Sequence, residues 1–128
     1  MTKDVPSIGS DFTPIERAVL AAICDMYSVD REALEAQLST ATLISRENTG
    51  AGFFTHFAVD HSASVAIGGQ RSRNGPEAKI AGLEHGMGFI LWLKEGYADC
   101  LEGYCYAGST TGIALETIEF EIRANESM

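Results

Sequence analysis

The residues of this chain best able to do more than pack are its histidines, its strand-borne carboxylates and its cysteines: His56, His61 and His85; Glu47, Glu84 and Glu102; and Cys24, Cys100 and Cys105. A histidine beside a carboxylate can move protons, and three or four such side chains converging can hold zinc. His56 and Asp60 have the same parity on one β-patterned run. At about 3.3 Å per residue they lie about 13 Å apart, too far to share one ion. No metal site and no cofactor is therefore expected. Glu102, in "CLEGY", shares parity with Cys100, Tyr104 and Tyr106. A carboxyl group among aromatic rings has a raised pKa and could act as a general acid or base. The plainer reading is a rim carboxylate hydrogen-bonded to Arg46 or to a tyrosine. Cys100 and Cys105 have no histidine close by in sequence, so a buried thiol is the default for each. "GAG" and "GMG" are not followed by Gly-Lys-Ser/Thr and do not separate a strand from a helix, so they read as turns, bulges or close strand approach. "GSTTG" has the wrong spacing for a nucleophile elbow. No residue is assigned a catalytic role.

The elements that must position these groups follow from periodicity. Residues 1–11 read as a loose arm. In "TPIERAVLAAICDMY", Thr13 suits an N-cap, Pro14 the first helical position, and Glu16 completes a capping box. Ile15, Val19, Ala22, Ile23 and Met26 form the apolar stripe, with Glu16 off it. A second helix begins at Asp30 as cap, Val29 and Leu34 forming a hydrophobic staple, and the helix pair ends near residue 39. From residue 41 the pattern turns to strands. "ATLISREN" and "FFTHFAVD" flank the turn "TGAG", and "ASVAI" has the composition of a short strand. "GGQRSRNGPE" reads as a long loop with Asn74-Gly75-Pro76 at its tip. "MGFILWLK" and "ADCLEGYCY" flank the turn "KEGY". "LETIEFEIR" alternates, with Ile118, Phe120 and Ile122 inward and Glu119, Glu121 and Arg123 outward, as at a charged edge. The expected fold is α+β: an N-terminal helix hairpin, then an antiparallel meander of six or seven strands over residues 41–123, with the helices across one face.

Met87, Phe89, Leu91 and Leu93 share one face of the hydrophobic strand, and Ile90 and Trp92 the other. Helices can cover only one of these faces. The second face then calls for a curled sheet, a loop or another subunit, and a homodimer is the expectation.

At 128 residues the chain is most simply one domain, with 45% hydrophobic and 21% charged residues, as in a folded protein. Nine basic against eighteen acidic residues give a net charge of −9. That surface repels phosphate backbones and anionic lipid, so neither nucleic acid nor membrane is expected as a partner, while a basic protein is attracted. No apolar run is long enough to cross a bilayer, and "MTKDVPSIGSDF" lacks the apolar core of a secretory signal. Cys100 and Cys105, an odd number of residues apart, face opposite sides of a strand, so free thiols in a reducing cytosol are expected.

"GFILWLKEGYADCLEGYCYAG" resembles the C-terminal hairpin of small bacterial proteins of unassigned function. In these a hydrophobic strand, a Gly-Tyr turn and a Leu-Glu-Gly-Tyr-x-Tyr strand follow one another. The matching residues are Phe89 to Leu93, Gly96, Tyr97, Leu101, Glu102, Tyr104, Tyr106 and Gly108. The resemblance covers about a fifth of the chain and carries over no catalytic residue. Some such acidic proteins are immunity-type partners of toxins, which implies a protein-binding role by analogy.

Two functions follow as expectations. The first is a non-enzymatic interaction module. Trp92, Tyr97, Tyr104 and Tyr106 would be its anchors, and Glu95, Asp99 and Glu102 would steer a cationic partner. The alternative is a ligand-binding domain or small enzyme, with Glu47, His56, Glu84, His85 and Glu102 lining a pocket between sheet and helices.

Overall fold

In the computed structural model, Ile8 and residues 11–123 are described. The loose arm expected over residues 1–11 lies mostly outside them, but Ile8 is buried in the core. Helix α1 (Pro14–Met26) begins as its sequence dictates. Thr13 Oγ1 accepts from the Glu16 N–H, and Glu16 Oε1 accepts from the Thr13 N–H at 2.8 Å, closing the capping box. Helix α2 (Arg31–Leu38) departs from its expected cap. The Asp30 side chain makes no capping bond, and its Oδ2 lies 3.5 Å from Arg73 Nη2. Val29 is 95% exposed and staples nothing. A tertiary cation has drawn the aspartate away from the local cap.

Six strands follow: β1 (Thr42–Asn48), β2 (Gly52–Ala58), β3 (Ser72–Ile80), β4 (Leu83–Lys94), β5 (Tyr97–Cys105) and β6 (Phe120–Arg123). They form one antiparallel sheet in the order β1-β2-β5-β4-β3-β6. The expected simple meander holds only for β3-β4-β5. The β1-β2 hairpin docks on the far side of β5, and β6 adds beside β3.

The segment expected to be a loop around Asn74-Gly75-Pro76 is β3 itself. The ladder with β4 slips between Asn74 and Glu77, and this bulge takes Pro76 out of the register where its missing N–H would break a bond. Gly75 serves a close approach: a Cβ there would stand 3.1 Å from Ile23 of α1 and 3.2 Å from Phe89. "ASVAI" forms no strand and belongs to the connection between β2 and β3. Two buried side chains pin that connection. Gln37 Nε2 donates to the carbonyls of Val65 and Gly96, while its Oε1 accepts from the Ala98 N–H. The Arg73 guanidinium donates to the carbonyls of Gly68 and Gln70 and lies over the Tyr27 ring.

The core lies between the helices and one face of the sheet. Ile15, Val19, Leu20, Ile23, Leu34 and Leu38 pack against Phe53, Phe57, Phe89, Leu91 and Leu101, all nearly inaccessible to solvent. Within this apolar layer sits Glu16, 1% exposed, where the helical stripe had placed it outside. Arg46 Nε and Nη2 hold its two oxygens at 2.6 and 2.7 Å, and Thr55 Oγ1 donates at 2.5 Å. Capping draws the carboxylate inward, and β1 and β2 supply the charge and hydroxyl that compensate its desolvation. β6 is shorter than its alternating sequence suggested, but its parity holds. Ile118, Phe120 and Ile122 pack on the core, and Glu119, Glu121 and Arg123 are exposed.

Candidate functional site: the helix-free face of the sheet

Alternation along each strand places a second set of side chains opposite the core. Register gives their rows. Ser45, His56, Cys100, Trp92 and Ser72 form one, and Glu47, Phe54, Glu102, Ile90 and Asn74 the next. Phe54, Ile90, Trp92 and Tyr104 are only half-buried, and none belongs to the core cluster. Both helices are spent on the other face, so among the described residues this apolar surface is incompletely covered.

Glu102 is at its centre. Its register partners are Phe54 on β2 and Ile90 on β4, and the Trp92 indole N–H donates to its Oε1 at 2.9 Å. The tyrosine or Arg46 partner expected for Glu102 is thus replaced by tryptophan, because Arg46 is committed to Glu16. Further along, Tyr104 and Tyr106 meet edge to face at 5.6 Å, and the Tyr106 hydroxyl donates to Glu77 Oε2. Gly88 makes this arrangement possible: a Cβ there would stand 2.6 Å from the Tyr104 phenol and 2.7 Å from the Tyr106 hydroxyl. The two rings therefore roof the glycine. Burial of the Tyr106 hydroxyl, reinforced by Tyr104 and then by the Glu77 carboxylate, pushes its pKa above the ordinary phenol range. It stays a donor to Glu77. Asn74, Pro76, Gly88, Tyr104, Tyr106 and Arg123 line a cleft of about 660 Å³ at this end.

The other expected site residues fall elsewhere. Tyr97 packs on the core side and stacks on His61 at 3.7 Å, so it is no part of the aromatic face. Glu84 and His85 line a separate cleft of about 420 Å³ with Lys79, Phe120 and Glu121. Glu47, His56 and Glu102 share the helix-free face, with Glu47 and Glu102 about 10 Å apart across two strand spacings. These five polar residues do not converge, and core side chains fill the space between sheet and helices. Among the described residues no group of three His, Cys, Asp or Glu could hold a metal ion. All three thiols are free. Burial, then Asp99 and Glu102, push Cys100 up to about 11, which opposes a thiolate nucleophile.

Phe54 and Glu77 were not singled out from the sequence, and Gly88, in "GMG", was read only for its backbone. Phe54 was legible through its shared parity with His56. Glu77 was hidden by the assignment of its segment to a loop.

No protein-family model, no curated protein and no solved structure matches this chain. Among the described residues no helix is long and apolar enough to cross a membrane.

Proposed function

We propose that this protein is a non-enzymatic interaction module that holds another protein chain on the helix-free face of its sheet. One observation carries the reading: Phe54, Ile90, Trp92 and Tyr104, around Glu102, stay partly exposed on one face of the three strands at the middle of the fold. Aromatic side chains of this kind supply most of the affinity at protein interfaces. The sheet's margins are poorer docking sites. β6 is four residues long and charged, and β1 carries a bulge between Leu43 and Ser45. The homodimer expected from sequence is one form of this function, with the same face apposed to itself.

The test compares the wild-type chain with Ile90→Asp, which places a charge in the face without touching the core side. Light scattering on purified protein reads self-association, and tagged protein in extracts of the native host reads capture. A dimer or captured partner present with wild type, and lost with Ile90→Asp at unchanged melting temperature, supports the proposal. A monomeric wild type that retains nothing beyond what Ile90→Asp retains overturns it.

A further inference from the structure

We infer that the face is built for an arginine-bearing segment of a basic protein, with Glu102 receiving the guanidinium. This rests on the binding role proposed above and names the occupant. Three carboxylates belong to this surface, Glu47, Glu102 and Glu77, and among the described residues no ion pair involves any of them. The strands that form its middle, β2, β4 and β5, contribute one lysine, Lys94, at the hairpin end, and no arginine. Two copies apposed through such a face would bring carboxylates into an apolar interface with few cations to meet them, which is unfavourable. A cationic partner reverses the sign of that term, in keeping with the chain's net charge of −9.

The surroundings of Glu102 select the kind of cation. Trp92 occupies Oε1 and fixes the carboxylate, leaving Oε2 for an incoming donor. Phe54 is its register partner across on β2, and Tyr104 stands two residues further along β5, so aromatic side chains neighbour it in two directions. A planar guanidinium can stack on such rings while it donates to the carboxylate. A compact, strongly hydrated ammonium gains less there. The roofed cleft at Tyr104 and Tyr106 continues the same surface and gives the rest of the segment a place to lie.

Trp92 is the only tryptophan, so its emission reports on this site. The full chain would be titrated at low salt with a capped ten-residue peptide of alternating arginine and serine, and with its lysine counterpart. The expected result is saturable, salt-sensitive binding of the arginine peptide. Binding should be at least tenfold weaker to Glu102→Gln, whose amide oxygen still accepts from Trp92, and less than twofold weaker to Glu116→Gln, which lies off the face. Melting temperature and circular dichroism confirm that the variants are folded. Equal binding to wild type and Glu102→Gln overturns the inference, as does equal affinity for the arginine and lysine peptides. If wild type ignores both peptides while Ile90→Asp still abolishes a dimer or a captured partner, the arginine assignment fails and the binding role stands. If Ile90→Asp also changes nothing, both fall.

Discussion

Arg46 on β1 grips both carboxylate oxygens of Glu16, a residue of the first turn of α1 whose side chain is wholly buried. The hydrogen bonds with Glu16 hold the Arg46 guanidinium even more firmly protonated than usual. Removing the cation alone leaves a desolvated anion with only Thr13 and Thr55 as donors. Arg46→Ala is expected to cost about 3 kcal/mol, in line with breaking one side of a buried pair. Chemical denaturation reads it, and a loss below about 1 kcal/mol would mean that water replaces the guanidinium.

Gln37 makes three hydrogen bonds to main-chain groups, one each in the β2–β3 connection, the β4–β5 turn and β5. Gln37→Ala strands the Val65 carbonyl and the Ala98 N–H, at about 1 kcal/mol or more each if they stay dry, while the Gly96 carbonyl keeps its bond from the Ile67 N–H. The expected loss is about 2–4 kcal/mol, with faster proteolysis between residues 60 and 71. Limited digestion followed by mass spectrometry locates the cuts.

Gly88→Ala drives a methyl group into the phenols of Tyr104 and Tyr106. Side chains on an open face can move, so stability should fall by only about 1 kcal/mol. The bond from Tyr106 to Glu77 should break, and the Tyr106 phenol should then titrate at lower pH. Ultraviolet pH titration of the tyrosines measures that shift.

The thiols give a pH dependence of known sign. Burial, then Glu35 and Asp25, raise Cys24 from 9.0 to about 12, and Cys100 stands at about 11. Both raised values mean that the folded chain keeps protons which the unfolded chain sheds above about pH 9. Their contribution is complete below pH 9 and is lost as pH rises towards 11 and 12. Denaturation midpoints should fall across that window, and Cys24→Ala/Cys100→Ala should flatten this part of the decline. At pH 8, alkylation of the native protein should reach half-buried Cys105 before the other two.

What could be read from the sequence was local. The Thr13–Glu16 cap, the β4–β5 hairpin and the sidedness of Ile90, Trp92 and Glu102 each depend on residues a few positions apart, where spacing fixes geometry. What could not be read was set by distant partners. Pro76 signals a loop unless β4 is known to run beside it and a bulge relieves the ladder. Asp30 looks like a cap until Arg73 competes for it. Glu16 looks solvent-facing until Arg46 arrives from another element. The open face follows the same division, since its members on any one strand were legible and their rows across strands were not.

Among the described residues β5 joins the β1-β2 ribbon to the β3-β4 ribbon, pairing with β2 on one side and β4 on the other. As the chain emerges from the ribosome, the β1-β2 ribbon and the β3-β4 ribbon therefore share no backbone bond until residues 97–105 have been made. A nascent chain halted before that point would present two unmatched ribbon borders and a half-built oily layer, a state prone to clumping. Completion of β5 closes both borders at once, so this protein is expected to fold late and in one step.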